Sequence, residues 1–213
     1  MKTLQNLWME FTASLGMNPT QGRIAWKELN AQYNKPKRFY HTLDGHIGHC
    51  IRMFRAIRQE AKNPLALEAA LWGHDAVYDA SGTENEELSG IWMAELLKRR
   101  GISPGCIAET VRLISFTRHD RIPKYIDEEI LCDIDLMILG AAKNTFDAYE
   151  NGIRKEYAWV PDEIYRRERV KVLNGFLARP RIYYRPKFFE KYEAKARGNL
   201  RQLIARLAEP HST

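Results

Sequence analysis

Cysteine is scarce in this chain and poorly placed for crosslinking: Cys50, Cys106 and Cys132 lie far apart, with no CxxC pair among them. An odd set of scattered thiols excludes an even disulfide framework and fits a reducing compartment. Long apolar runs are missing too. None approaches the roughly 18 residues that a bilayer crossing needs, and Met1-Lys2-Thr3-Leu4-Gln5 carries no apolar signal-peptide core. These absences set the expectation of a cytoplasmic protein with no membrane partner. There is no GxxxxGK[ST] loop to cradle phosphates for an ATPase, and no GxSxG or paired Cys/His signature of acyl transfer. Repeats, low-complexity tracts and alternating apolar–polar strand patterns are absent as well.

What remains is helical periodicity. Leu4, Leu7, Trp8, Phe11 and Leu15 mark a first amphipathic helix ending near Gly16, and a second is expected from Thr20 to Tyr33, broken by Asn34-Lys35-Pro36. Later breaks fall at Asn63-Pro64, Ser81-Gly82, Gly101 to Gly105, Arg121-Ile122-Pro123, Pro161 and Arg179-Pro180. With 213 residues, 45% of them apolar, and no linker, the expectation is one all-α domain. Its parts would be N-terminal helices (1–35), a core (37–160) and a basic C-terminal helical part (161–213). The charge is uneven: Arg166 to Arg206 holds 13 Lys and Arg against 3 Glu, so in a chain of net +6 the rest carries −4. Such a tail either attracts phosphates and nucleic acid through 166–206 or forms the solvated face of helices whose Tyr, Phe and Leu recur at helical spacing.

The titratable residues are concentrated in three places. His74-Asp75 sits in the apolar stretch Ala69-Ala70-Leu71-Trp72-Gly73, where an unpaired carboxylate is costly and needs a cation, a metal or a hydrogen-bond network. Upstream lie His41, His46 and His49; downstream, Asp133-Ile134-Asp135-Leu136 interrupts another apolar run. The order H…HD…D offers a mixed N/O donor set suited to Mn, Fe, Co, Ni, Mg or Zn. Periodicity alone leaves alternatives open. Adjacent helical residues point about 100° apart, so a His-Asp doublet also reads as a core histidine bonded to a carbonyl beside a surface acid. His49 and Cys50 share the helical face of His46 at i+3 and i+4. Asp135 shares a face with Leu131, Cys132, Ile138 and Leu139, whereas Asp133 is about 200° away.

These residues resemble the HD superfamily of metal-dependent phosphohydrolases, in particular a bacterial and phage subgroup of predicted members. The likeness rests on Arg38-Phe39-Tyr40-His41 with His46-Ile47, on Gly73-His74-Asp75-Ala76-Val77-Tyr78-Asp79 followed by Asn85-Glu86-Glu87-Leu88-Ser89-Gly90, on Leu131 through Gly140, and on Ile153-Arg154-Lys155-Glu156-Tyr157 with Asn199-Leu200. It spans about residues 37–205. It implies an HD-type helical bundle with extra terminal helices, and a divalent ion held by His46, His74, Asp75 and Asp135. His49 would lie in the core or behind the ligands, and Asp133 would orient an imidazole. The implied reaction is hydrolysis of a phosphoester or phosphoanhydride of a nucleotide or related small molecule. Asp79 or Glu86 would relay the proton, although Thr83-Glu84-Asn85-Glu86 also satisfies a helix capping box. Arg38, His41, Tyr78, His119, Arg154 and Tyr157 would contact the substrate. For Arg154 a salt bridge to a neighbouring acid is the competing role; for His41 or His119, a second metal ion. The alternative function is a nucleotide or nucleic-acid binding module on the same fold, using the basic C-terminal region.

Overall fold

A computed structural model describes residues 2–209, and every regular element in it is helical, as the periodicity implies. No helix among the described residues is long and apolar enough to cross a membrane. The chain divides into two compact units, with the boundary between Ile134 and Asp135.

The first unit contains α1 (Leu4–Ser14), α2 (Pro19–Tyr33), a π-helical turn (Leu43–Ile47), α3 (Gly48–Ile57), α4 (Pro64–Gly73), α5 (Asn85–Lys98) and α6 (Pro104–Ile114). It also holds a short 3₁₀ turn (Ser115–Arg118) and nearly all of α7 (Ile126–Leu136). The helix starts reflect local chemistry. Thr3 accepts the Asn6 N–H at 3.2 Å, and Asn18 and Gln21 form a reciprocal capping box that opens α2 at Pro19. Gly16, at φ +85°, ends α1 in the left-handed conformation that only glycine adopts without strain.

At the centre of this unit is α4, which is buried continuously from Ala66 to Gly73 and packs against α1, α3, α5 and α6. Trp72 meets Trp8 edge-on at 5.3 Å and Trp26 at 6.4 Å, while the Trp8 indole donates to the Gly22 carbonyl at 3.1 Å. The Tyr33 hydroxyl donates to the Trp72 carbonyl at 2.9 Å. The N-terminal helices thereby grip the residue two positions before the His-Asp doublet. Glu68, the one acid on α4, is buried and accepts from Arg55 at 2.9 and 2.8 Å and from Arg58 at 3.3 Å. Removing one side of such a buried pair costs about 3–5 kcal/mol. The start of α4 is capped from a distance: Asp127 accepts the Lys62 and Asn63 N–H groups, both at 2.7 Å.

The second unit runs from the last residues of α7 through a 3₁₀ turn (Met137–Gly140), α8 (Lys143–Glu156), α9 (Asp162–Leu177) and α10 (Pro186–Ala208). The 3₁₀ turn lies against α10. Asn199 donates to the Leu139 and Ala141 carbonyls at 2.8 and 3.0 Å, and the Tyr183 hydroxyl to Leu136 at 2.8 Å.

Candidate metal centre

Two elements of the first unit, α4 and the π-helical turn, bring the candidate donors together. The chain leaves α4 at Gly73, where any Cβ would stand 2.9 Å from Met93 Cγ of α5, so glycine lets α5 pass close to the doublet. His74 comes next as the C-cap residue of α4, and its Nδ1 lies 3.1 Å from the Leu71 carbonyl. Arg38 braces the doublet from the other side. Its terminal nitrogens donate to the main-chain carbonyls of His41 (3.0 Å), Asp75 (2.7 Å) and Ala76 (2.9 Å), between the rings of Tyr33 and Tyr78.

His46 arrives on the π-helical turn. Thr42 caps that turn by accepting the Gly45 N–H at 3.2 Å, and a Cβ at Gly45 would be driven to 2.7 Å from the same hydroxyl. Cys50, four residues on, faces inward with Sγ 3.8 Å from His46 Nδ1, while His49 is exposed. His49 is therefore not in the core, because the buried face of α3 is formed by Cys50, Ile51 and Phe54.

The donor atoms converge tightly. His46 Nε2 and His74 Nε2 are 3.0 Å apart, and Asp75 Oδ2 lies 3.4 Å from the first and 3.2 Å from the second. Oδ2 is buried and accepts no hydrogen bond of acceptable geometry despite these short distances. Burial pushes the Asp75 carboxyl up, but the charges of His74, His41 and His46 outweigh it and hold it below the usual carboxylate range. In the neutral ring, donation from His74 Nδ1–H to Leu71 leaves Nε2 a bare lone pair. The Tyr40 hydroxyl, 2.9 Å from His46 Nδ1, can accept that ring's proton and free the second Nε2 in the same way.

A cation fits this arrangement. Donors held about 2.1 Å from one ion are about 3.0 Å apart at right angles and about 3.4 Å apart at the tetrahedral angle. The observed separations span 3.0 to 3.4 Å. His46, His74 and Asp75 form a group that could hold a metal ion.

No protein-family model, curated protein or solved structure matches this chain.

His41 and Tyr78 belong to the neighbourhood of the cluster. Their rings lie 4.2 Å apart, and His41 is 6.0 Å from the His46 ring. Asp79 is exposed and closes a turn, its Oδ1 accepting from the Ser81 N–H (2.9 Å) and hydroxyl (2.7 Å), the latter bond chiefly lowering its pKa. Glu86 sits in the first turn of α5, with Arg118 at 3.6 Å. The capping-box reading of Glu86 fails. Glu84 rather than Thr83 is the N-cap residue and makes no side-chain cap, because Asn85 is tied to the Asp79 main chain at 2.9 and 2.8 Å and fixes where the helix starts.

Asp133 is fully buried, and Asp135 is half-buried in the last turn of α7. The Cys50 thiol lies 4.0 Å from the carbonyl of Ile134, the residue between them. His119 takes a left-handed conformation (φ +55°) that reverses the chain after the 3₁₀ turn, a role histidine fills more readily than most residues. In the second unit, Arg154 donates to the Tyr157 and Val160 carbonyls at 2.7 and 3.1 Å and pairs with Asp162 at 3.3 Å. The salt-bridge alternative for Arg154 is thus realised. Tyr157 caps α8 with its ring 6.1 Å from Tyr165.

Tyr40 is the partner that sequence spacing misses, whereas the Leu71 carbonyl is the helix carbonyl that the alternative reading of His74 expected. Tyr40 precedes His46 by six residues across a loop and a π turn, a separation that no regular period connects.

Proposed function

We propose that this protein is a divalent-metal-dependent phosphohydrolase acting on a phosphoester or phosphoanhydride of a nucleotide or related small molecule. The observation that carries this reading is the convergence of two imidazole Nε2 atoms and an orphaned, buried carboxylate oxygen within 3.4 Å. The H…HD…D order and its resemblance to HD phosphohydrolases supply the reaction class. His46, His74 and Asp75 would hold Mn, Fe, Co, Ni, Mg or Zn, with Asp135 as the fourth ligand that the resemblance implies. Once bound, the ion supplies Lewis acidity, lowering the pKa of a coordinated water and offsetting charge on phosphorus.

The chain's own residues do the rest. Leu71 and Tyr40 fix the imidazole orientations, and Arg38 holds the main chain of the doublet rigid. His41, beside the doublet, donates to a phosphate oxygen, and Tyr78 supports its ring. Asp79 is engaged by Ser81, which leaves Glu86, with Arg118 nearby, to accept the proton of the attacking water.

The test is phosphate and pyrophosphate release from a panel of nucleotides and sugar phosphates. Metal-stripped protein would be reloaded with each of the six ions in turn. Turnover should require the metal and disappear in Asp75→Ala and Asp135→Ala. Failure of the stripped protein to take up any ion would end the proposal.

A further inference from the structure

The cations of the C-terminal unit fall into two groups that the sequence does not distinguish. One group clasps the unit together. Arg166 donates to the Leu207 and Arg206 carbonyls at 3.0 and 2.8 Å, and Arg197 to Glu193 and the Leu177 and Arg179 carbonyls at 2.7 to 3.0 Å. Arg169 is paired with the buried Glu150, and Arg206 bonds Asp147 at 3.3 Å.

The other group stands on the outer face of α10. Lys187, Lys191 and Lys195 repeat at four-residue steps, Arg201 lies on the other flank of that row, about 40° from Lys187 and 120° from Lys195 in projection, and all four are exposed. Among the described residues, Lys191, Lys195 and Arg201 pair with no carboxylate; Lys191 only lies over the Tyr192 ring at 4.9 Å. Ala194 and Gly198 lie between them, with the exposed Glu190 at the edge of the face, and a Cβ at Gly198 would meet nothing within 4 Å. The helix begins with no acid in its first turn and no side-chain cap, so its positive N-terminal end adds to the lysines. Like charges four residues apart weaken a helix. This row therefore works against the stability of α10, unlike the clasping arginines.

We infer that the outer face of α10 is a docking surface for a nucleic-acid duplex, bound through its phosphates without regard to base sequence. Lys191 to Arg201 spans about 15 Å of helix, along which a duplex presents about nine charges. Small residues between the cations let a backbone approach closely. The face carries no Trp, Phe or Leu to insert into a bilayer, which argues against an anionic membrane. Duplex docking here is independent of the proposed hydrolysis, since none of these residues belongs to the metal cluster.

The experiment is fluorescence anisotropy of the full-length protein with labelled 20-base-pair DNA and RNA duplexes across a salt series, beside phosphatidylserine vesicles. The expected result is binding to both duplexes with log K falling against log salt at a slope of about −3, as three phosphate contacts require. Lys191→Gln/Lys195→Gln/Arg201→Gln should flatten that slope and weaken binding at least tenfold, whereas Lys171→Gln, whose lysine already pairs with Glu168 at 3.0 Å, should change little. Circular dichroism on the triple variant would show that α10 is intact. Duplex binding unaffected by the triple substitution would overturn the inference, as would binding to the vesicles alone or to neither probe.

Discussion

Replacing Asp75 by Asn separates a metal ligand from a structural acid. The Asp75 carboxyl is held below its ordinary range by His74, His41 and His46, so near neutrality the metal-free Asp75→Asn variant should lose the stability that this depressed pKa represents, and that loss should shrink as pH falls through the carboxylate range. Metal binding reports on the ligand role separately. Disturbing only the groups behind a ligand lowers affinity about 10–100-fold, so removal of a ligand carboxylate should exceed that range. Metal at a hundred times its Kd stabilises the parent by about 2.7 kcal/mol, which for a chain of this length raises Tm by about 5–10 °C. A hundredfold weaker variant at the same concentration would gain only about 0.4 kcal/mol, or about 1–2 °C. Differential scanning calorimetry with and without Mn or Zn reads both quantities. An Asp75→Asn variant whose metal-induced rise in Tm is undiminished would refute the ligand assignment.

Two other perturbations probe the supports of the site and of the fold. Tyr40→Phe removes the hydroxyl 2.9 Å from His46 Nδ1 and should weaken metal affinity about 10–100-fold, with Tm of the metal-free protein nearly unchanged, as titration calorimetry and thermal melts would show. Glu128 tests the fold by its pH response. Burial pushes its carboxyl up, but the Lys124 N–H, the Arg112 side chain and the Tyr125 N–H outweigh it and hold its pKa below the usual value. Its contribution to stability should be complete above the unfolded value of about 4.3 and disappear as pH falls from there through the folded value. Glu128→Gln should therefore be less stable near neutrality and lose less on acidification, as denaturant melts between about pH 6 and 3 would measure.

The helices were legible because apolar spacing and stop signals are local. Leu4 to Leu15 with Gly16, and Thr20 to Tyr33 with Asn34-Lys35-Pro36, carry their boundaries within a few residues. The division between Ile134 and Asp135 was not legible, because it falls inside α7, a helix with no Pro, Gly or change of composition to mark it. Side-chain commitments were hidden for a similar reason. Arg38 and Arg154 look like phosphate ligands in sequence, yet both hold main-chain carbonyls, those of Asp75 and Val160 among them, whose positions depend on how the intervening chain folds. Guanidinium chemistry suits either use, and only tertiary geometry decides between them.

The first ligand shows where such reading reaches its limit and what lies beyond it. On an ideal α-helix His49 and Cys50 are equally good neighbours of His46, and nothing in their spacing favours one over the other. The buried face of α3 breaks that symmetry, with Cys50 in line with Ile51 and Phe54 and His49 exposed. The π turn at Leu43–Ile47 that carries His46 leaves only a faint sequence trace: a threonine able to cap and a glycine that gives the capping hydroxyl room. π-Helical turns are rare and often found at functional sites. Here it aims an imidazole at a second imidazole and a carboxylate, an arrangement of Lewis bases that repel one another until a proton or a cation stands between them.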